Sequence, residues 1–352
     1  MRITFVNQSL LMTGGFRVVC EYATRLRARG HTIHLLAPGP VATVLREGAT
    51  GIKRVVYEYV SGSVADGLES YGLTSNVIRF DPSRPGKVPA ADIVVATAWL
   101  TAEWVNAMPR DAGRKCYLIL GYEAWSETIQ DRVVRTWKLP MRRIVVARYL
   151  ERLARERFDV EATYVPNGVD CDRFRPGATR GSTPTVGMLY EIQPWKGVID
   201  GLSALWHIHE KRPDVRFVVF GRSRLRHRLP PGTRFFRNPS ERDLPSVYRA
   251  CNLFMNSSHS EGFSLVILEA LASGCAVVAT AVGELPEMGR PGEDYIMVPP
   301  REPLRLAEEV LSLLSDPERL RGMADAGSRL AQRFSWDRSA DRFERVLEGG
   351  AP

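Results

Sequence analysis

The sequence predicts an α/β protein made of two doubly wound domains, and three observations support this fold class. Strand-like and helix-like segments alternate along most of the chain, which is typical of parallel sheets covered by helices. The alternation begins a second time near residue 185. The chain has 352 residues, whereas a single hydrophobic core stops growing at roughly 250–300 residues.

The first half of the chain contains a series of short runs rich in β-branched residues. These runs predict strands over 3–6, 31–37, 54–60, 92–98 and 115–120. A helix over 16–30 connects the first two, because Val18, Tyr22 and Leu26 recur at four-residue spacing and Gly30 ends the pattern. The right-handed crossover of such a βαβ unit gives a parallel sheet.

The second half repeats this organisation. It predicts strands over 185–190, 215–221, 233–236, 253–258, 276–281 and 294–298, and helices over 196–212, 241–251, 264–273 and 334–350. The segment 165–184 is rich in Pro, Gly, Asp and Thr, as loops are. We therefore expect domains over 1–166 and 185–335, a linker over 167–184, and a terminal helix over 336–352 that packs back toward the first domain.

The bulk composition indicates a cytoplasmic protein. Five cysteines occur without a CxxC pair, which is typical of reduced thiols, and no signal peptide is recognisable. The net charge of +8 fits nucleic acids, anionic small molecules or an acidic membrane surface equally well. A basic segment with interspersed apolar residues, 132–157, allows peripheral contact with the inner face of the membrane. A solvated arginine-rich surface explains this segment at least as well.

The segment from Glu261 to Glu269 carries the strongest functional signal. The backbone amides of residues 262–265 (Gly262, Phe263, Ser264 and Leu265) lie at the start of a predicted helix, where they suit a phosphate. Carboxylates such as Glu261 and Glu269 bind vicinal hydroxyls well, since they accept two hydrogen bonds. A phosphate flanked by hydroxyl-binding carboxylates describes a nucleotide sugar.

Other candidate residues also follow predicted strands, where open parallel sheets bind their ligands. Lys196 and Arg222 would neutralise a diphosphate. Gly14 and Gly15 would let backbone amides approach a phosphate or sugar. We expect no metal, because Asp170 and Asp172 belong to a turn sequence rather than to an acidic metal site.

Together these segments resemble the GT-B-fold retaining glycosyltransferases of glycosyltransferase family 4. Glu261 to Glu269 is similar to the E-x7-E signature of that family, VPNGVDCDRF (165–174) resembles its linker motif, and Gly14-Gly15 its N-terminal glycine loop. The resemblance implies two Rossmann-like domains facing across a cleft, with the nucleotide sugar bound by the C-terminal domain and the acceptor by the N-terminal domain.

The resemblance also implies residue roles. Glu269 would hold ribose hydroxyls, Glu261 would contact the donor sugar, and Lys196 would bind the diphosphate of a UDP-, GDP- or dTDP-sugar. We expect retention of configuration, a hexosyl-type sugar, a hydroxyl acceptor of unspecified identity, no cofactor and no nucleic-acid partner.

Two departures from the family pattern affect these roles. Met188 stands where the family usually has an arginine, so Arg222 would assist Lys196. On the acceptor side the usual histidine is missing, and the strand end reads Thr97-Ala98-Trp99. The segment 121–123 resembles an element of rhamnosyltransferase-like members, so we place Trp99, Tyr122 and Glu123 on the acceptor side. A GT-B sugar-nucleotide epimerase and a catalytically weakened sugar-nucleotide-binding module remain as alternatives.

Overall fold

A computed structural model describes residues 1–38, 67–124, 126–177 and 183–350, together with the backbone of two short strands at 44–46 and 53–55. The chain forms two compact units. One contains Met1–Pro166 and the last helix of the chain, and the other contains Asn167–Ser335. No helix among the described residues is both long enough and apolar enough to cross a membrane.

The first unit contains a parallel sheet with the strand order β5-β2-β1-β6-β7-β8-β9, and a separate antiparallel pair, β3-β4. The strands are β1 (Arg2–Val6), β2 (Thr32–Pro38), β3 (Val44–Arg46), β4 (Lys53–Val55), β5 (Val77–Phe80), β6 (Ile93–Ala96), β7 (Arg114–Ile119), β8 (Arg142–Val145) and β9 (Thr163–Tyr164). The order reverses between β1 and β6, which is the position where doubly wound sheets leave a crevice.

Four longer helices belong to this part of the chain, and residues 67–70 are also helical. They are α1 (Gly14–Ala28), α2 (Trp99–Ala107), α3 (Glu127–Trp137) and α4 (Arg148–Phe158). The Thr13 hydroxyl starts α1 by accepting a hydrogen bond from the Phe16 amide at 3.2 Å, which satisfies one of the free amides of a helix start.

The second unit repeats the doubly wound topology with the strand order β12-β11-β10-β13-β14-β15. Its strands are β10 (Thr185–Leu189), β11 (Arg216–Gly221), β12 (Arg234–Arg237), β13 (Leu253–Asn256), β14 (Ala276–Thr280) and β15 (Ile296–Val298). Its helices are α5 (Val198–Lys211), α6 (Leu244–Arg249), α7 (Leu265–Ala272), α8 (Leu285–Met288), α9 (Pro303–Leu314) and α10 (Pro317–Ala331). The order reverses between β10 and β13, the strands that lead to Lys196 and Glu261.

The central strands of the second unit are apolar along their length because they lie in its core. All five residues of β14 are buried, as expected for a parallel strand that is covered on both faces. Met188 in β10 is also buried in this core, with 1% of its surface exposed. The residue that replaces the family's arginine therefore packs among apolar side chains.

The last helix, α11 (Trp336–Glu348), packs against α1 in the first unit. The Tyr22 hydroxyl is hydrogen-bonded to Ser339 at 3.0 Å, and the Tyr22 ring stacks on Phe343 with 4.2 Å between ring centroids. At the surface, Arg29 forms ion pairs of 2.6 Å with both Asp341 and Glu344. An aromatic core and a charged rim thus hold the end of the chain on the first unit.

The predicted fold class, two doubly wound α/β domains, is confirmed, and most predicted elements lie within three residues of their observed bounds. Sequence reasoning missed the short strands β5, β8 and β9 and most of the flanking helices. Of the strand predicted over 54–60, only residues 54 and 55 are described, in β4; residues 56–60, and residues 178–182 of the predicted linker, lie outside the described residues.

The basic segment 132–157 is not one continuous amphipathic element. It comprises the end of α3, the strand β8 and most of α4. The apolar residues Ile144 and Val145, which made the segment look amphipathic, are fully buried in the sheet. Membrane contact through this segment stays an untested prediction, and it would have to involve exposed arginines from separate elements, the helices α3 and α4 and the start of β8.

The substitution Phe343→Ala tests the packing of α11. Phe343 is fully buried between Tyr22 and Phe5, and truncation of a buried phenylalanine costs about 3–5 kcal/mol. We expect this loss in the free energy of unfolding measured by urea denaturation. The neighbouring exposed residue provides the control, since Arg342→Ala should change the stability by less than about 0.5 kcal/mol. Equal stability of the two variants would contradict the packing described here.

Candidate functional site

Two predicted site residues, Lys196 and Glu261, meet in the second unit where the strand order reverses. Lys196 ends a short 3-10 turn between β10 and α5, and Glu261 lies in the loop that follows β13. The Lys196 Nζ donates to Glu261 Oε1 at 2.8 Å, and the Ser258 hydroxyl donates to the same oxygen at 2.7 Å. Only 8% of the Glu261 side chain is exposed, so two donors hold a nearly buried carboxylate in place.

Backbone contacts fix the two loops that carry this pair. The Trp195 carbonyl accepts from the amides of His259 and Ser260 at 2.7 and 3.2 Å. Gly197 adopts a left-handed conformation with φ +58°, and a Cβ at this position would overlap the Ser257 carbonyl oxygen. Only glycine therefore permits this approach, which brings Lys196 against the loop of Glu261.

A histidine that sequence reasoning missed adds a side-chain connection between the same loops. His259 Nε2 lies 2.6 Å from the Asp200 carboxylate in the first turn of α5. Because Asp200 is four residues after Lys196 and His259 is two residues before Glu261, this contact braces the ion pair. Sequence reasoning could not find it, since the two residues are 59 positions apart.

The start of α7 presents uncapped backbone amides. Ser264 precedes the helix in a left-handed conformation with φ 68°, and no side chain caps the helix start. Ser264 is buried, with 8% of its surface exposed, and its hydroxyl has no hydrogen-bond partner. Phe263 is buried against Phe334, with ring centroids 5.6 Å apart. The uncapped amides and the unused hydroxyl suit an anion.

The loop before α7 is held from its other side by residues 283 and 284. The Glu284 amide donates to the Gly262 carbonyl at 2.9 Å. Gly283 has φ +67°, and a Cβ there would lie 2.5 Å from the same carbonyl oxygen. A side chain at position 283 would push the loop away from its observed position.

Glu269 lies inside α7 and is almost completely buried, with 3% exposure. Its Oε2 accepts a hydrogen bond from the Tyr248 hydroxyl at 2.9 Å. The buried carboxylate thus has a neutral donor that orients it, as buried polar groups require. Tyr248 is itself fixed among aromatic rings, including Phe254 at 5.5 Å and Phe174 at 5.9 Å.

Arg222 follows β11 at the same edge of the sheet, where it is paired with Glu191. The Arg222 amide donates to Glu191 Oε1 at 2.7 Å, and its Nε lies 3.4 Å from the same oxygen. Ser223 donates to the other carboxylate oxygen at 2.9 Å. The guanidinium is one-third exposed, and a carboxylate already balances its charge.

The remaining predicted residues belong to the first unit. Gly14 and Gly15 begin α1. A Cβ on Gly14 would meet no atom within 4 Å, whereas one on Gly15 would lie 3.1 Å from Leu120. The Gly14 backbone is therefore open to a ligand, while Gly15 also has a packing role.

Trp99 and Glu123 meet beside the order reversal of the first sheet, whereas the ring of Tyr122 packs against Trp137 and Phe158. The Trp99 amide, at the start of α2, donates to Glu123 Oε2 at 2.7 Å. The Tyr122 hydroxyl is buried without a hydrogen-bond partner. The Arg132 guanidinium lies 4.9 Å from the centre of the Trp99 ring. Burial raises the pKa of Glu123 to about 7, although the hydrogen bond from Trp99 opposes this shift.

The acidic turn of the linker has a structural explanation. Asp170 Oδ1 accepts from the amides of Asp172 and Arg173 at 3.1 and 3.0 Å, which is a typical turn-stabilising arrangement. Within the described ranges, no three His, Cys, Asp or Glu side chains are grouped so that they could hold a metal ion.

The raised pKa of Glu123 predicts how stability depends on pH. The folded state binds the Glu123 proton more tightly than the unfolded state, whose pKa is near 4.5. The free energy of unfolding therefore loses up to about 3 kcal/mol as the pH rises from 4.5 through 7. Glu123→Gln should avoid this loss, because its amide oxygen still accepts from Trp99.

Thermal unfolding at pH 5 and pH 8 measures this effect. We expect Glu123→Gln to be more stable than the wild type at pH 8 and nearly equal to it at pH 5. The exposed residue Glu127, at the start of α3, supplies the control, since Glu127→Gln should not gain stability with pH. A gain for Glu123→Gln that is the same at both pH values would refute the assignment.

The amino-acid sequence is similar to those of known glycosyltransferases. Residues 183–316 match the family model described as glycosyl transferases group 1. A D-inositol 3-phosphate glycosyltransferase of Segniliparus rotundus is 37% identical over 214 residues, which cover 53% of this chain and 47% of that protein. The alignment thus spans about half the length of this relative. A phosphatidyl-myo-inositol mannosyltransferase of Mycobacterium tuberculosis is 25% identical over 94% of this chain and 91% of its own length.

Solved structures with the same fold cover almost the whole chain. A sucrose-phosphate synthase from Thermosynechococcus elongatus has a TM-score of 0.75 at 18% identity, covering 99% of this chain and 98% of its own. HepE of Anabaena, solved in complex with UDP-glucose, has the same TM-score and identity and covers 99% of this chain and 100% of its own. The family-model match over residues 183–316 and the named relatives confirm the predicted resemblance to glycosyltransferases, and the solved structures show that the chain shares their two-domain GT-B fold.

Proposed function

We propose that this protein is a retaining glycosyltransferase that moves a hexosyl-type sugar from a nucleotide diphosphate sugar to an acceptor hydroxyl without a metal ion. The observation that carries the proposal is the Lys196–Glu261 pair together with the uncapped amides at 262–265. A cation and a helix start supply positive charge for a diphosphate, and a fixed carboxylate supplies acceptors for sugar hydroxyls.

Each part of the donor has a proposed partner in the second unit. The diphosphate would contact Lys196 and the amides of residues 262–265, with Arg222 as a second cation. Glu269, oriented by Tyr248, would accept hydrogen bonds from the ribose. Glu261 would contact the sugar. Gly14 and Gly15 of the first unit also stay proposed as donor contacts.

The proposed reaction exchanges one bond at the anomeric carbon. The acceptor oxygen forms a bond to that carbon while the bond to the β-phosphate oxygen breaks, and the electron pair of that bond passes to the leaving diphosphate. The proton of the acceptor hydroxyl moves to the departing phosphate oxygen on the same face, so the configuration is retained. Lys196 and the amides stabilise the charge that develops on the diphosphate.

Glu261 would not be the nucleophile in this reaction. Its Oε1 already accepts hydrogen bonds from Lys196 and Ser258, and donors to a carboxylate reduce its nucleophilicity. A covalent glycosyl adduct on Glu261, detected by mass spectrometry of the intact protein, would require the opposite assignment.

The acceptor is proposed to bind the first unit near Trp99, Tyr122 and Glu123. The buried Tyr122 hydroxyl has no partner, and a polar substrate group would satisfy it. Two of the relatives are named for inositol phosphate and phosphatidylinositol, so acceptors that carry inositol are the first to test. HepE was solved with UDP-glucose, which makes UDP-sugars the first donors to test, followed by GDP- and dTDP-sugars.

The alternatives are less well supported than the transferase. The two curated relatives described above are named as transferases, whereas an epimerase would need no acceptor. A panel of nucleotides and nucleotide sugars in a thermal-shift assay identifies the donor.

Lys196→Met then tests the diphosphate contact with the donor so identified. Loss of a group that stabilises developing charge lowers the rate about 10²- to 10³-fold, and we expect this decrease in kcat for release of the nucleoside diphosphate. Lys211→Met removes an exposed lysine at the end of α5 and should retain full activity. Circular dichroism of both variants checks their folding. Full activity of a folded Lys196→Met variant would rule out the proposed role.

A further inference from the structure

The second unit carries a concentration of exposed aliphatic side chains outside the Lys196–Glu261 site. Across the described residues, the exposed large hydrophobic side chains are Ile192 (39%), Ile199 (59%), Leu225 (41%) and Leu304 (56%). The first three belong to the loop after β10, the start of α5 and the loop after β11. Single exposed apolar residues are ordinary, but a group of them marks an interaction surface.

Hydrogen bonds connect the loops and the helix that carry these three residues. The Ile192 amide donates to the Ser223 hydroxyl at 3.2 Å, two residues before Leu225. The indole of Trp206 donates to the Arg228 carbonyl at 3.2 Å, so the loop runs beside α5. Ile199 and Trp206 are seven residues apart in α5 and therefore lie on the same helix face.

The loop over residues 223–230, here called the basic loop, has a strongly one-sided charge. Six arginines and no acidic residue occur between residues 222 and 237. Arg224, Arg226 and Arg228 are exposed. The nearby carboxylates of Glu191 and Asp200 are paired with Arg222 and His259, so they do not neutralise the exposed arginines.

The inner side of the basic loop is anchored to the protein. The Tyr190 hydroxyl is hydrogen-bonded to His227 Nδ1 at 2.6 Å and accepts from the Arg226 amide at 3.0 Å. Leu229 packs against the apolar core. The anchored residues hold Leu225 and the three arginines at the surface, so their exposure is a property of the folded loop.

We propose that the basic loop, together with Ile199, docks on the surface of a lipid bilayer that contains anionic lipids. Arginines are attracted to the negative headgroups, and aliphatic side chains gain free energy by entering the acyl boundary. Nucleic acid is the less suitable partner, because single strands are bound by stacking of bases on exposed aromatic rings, whereas the most exposed apolar residues here are aliphatic. This surface is separate from the segment 132–157.

Co-sedimentation with vesicles tests the proposal on the full-length protein. One set of vesicles contains phosphatidylcholine alone. The other contains phosphatidylcholine with phosphatidylglycerol as about a third to a half of the lipid, and this anionic component supplies the negative charge. One variant, Arg224→Gln/Arg226→Gln/Arg228→Gln, removes charge, and a second, Ile199→Ser/Leu225→Ser, removes apolar surface. The matched controls are Arg319→Gln/Arg321→Gln/Arg329→Gln on α10, with the same change in net charge, and Leu304→Ser on α9.

The wild type should sediment with anionic vesicles and much less with phosphatidylcholine. We expect the arginine variant to lower the partition coefficient about a hundredfold, since each arginine near the surface contributes about fivefold. The serine variant should also lower it about a hundredfold, because burial of each aliphatic side chain contributes at least about tenfold. Both controls should bind like the wild type. Salt at about 1 M should weaken the wild type, because it screens the charge contribution.

Three results would overturn the proposal. The first is no binding to anionic vesicles. The second is equal losses in the α10 control and the arginine variant. The third is a combined result, in which the serine variant binds the vesicles as the wild type does and a soluble polyanion fully displaces the wild type from them. That result would identify a site for polyanions instead of a membrane surface. The assay contains no donor or acceptor, so its outcome is independent of the proposed transferase activity.

Discussion

The ion pair between Lys196 and Glu261 is the contact on which the account of this protein depends. Its carboxylate is almost completely removed from water, and loss of one partner from such a pair leaves an uncompensated buried charge. Ser258 supplies a second donor, and the His259–Asp200 contact ties together the two loops that carry the pair. Several residues of the second unit therefore hold one cation and one carboxylate at fixed positions.

The doubly wound topology explains why those positions lie together. Lys196 follows β10 and Glu261 follows β13, and these strands are adjacent because the strand order reverses between them. Chain segments that leave adjacent strands at such a point diverge to opposite faces of the sheet and leave a crevice. The first unit has the same reversal between β1 and β6, and the Trp99–Glu123 contact lies beside it. The same topology thus places polar side chains beside the strand-order reversal of each unit.

Sequence reasoning succeeded where local pattern carries the information. Alternating strands and helices predicted both sheets, and the spacing of Glu261 and Glu269 identified the segment around α7. It failed for β8, whose arginine-rich neighbours hid a four-residue strand, so that 132–157 looked like one amphipathic segment. It also missed the partners of the site. Tyr248 meets Glu269 across 21 residues, and the constraint on Gly283 comes from a loop about 20 positions earlier; no periodicity in the sequence records such contacts.

Hydrogen exchange in the presence of a nucleoside diphosphate tests the central claim most directly. If the Lys196–Glu261 pair and the start of α7 form the diphosphate site, ligand binding should slow exchange of the amides at 196–198 and 262–265. Amides of β5, the edge strand of the first unit's sheet, should be unaffected. The account would be contradicted if saturating nucleotide slowed amide exchange in other segments and left exchange at 196–198 and 262–265 unchanged.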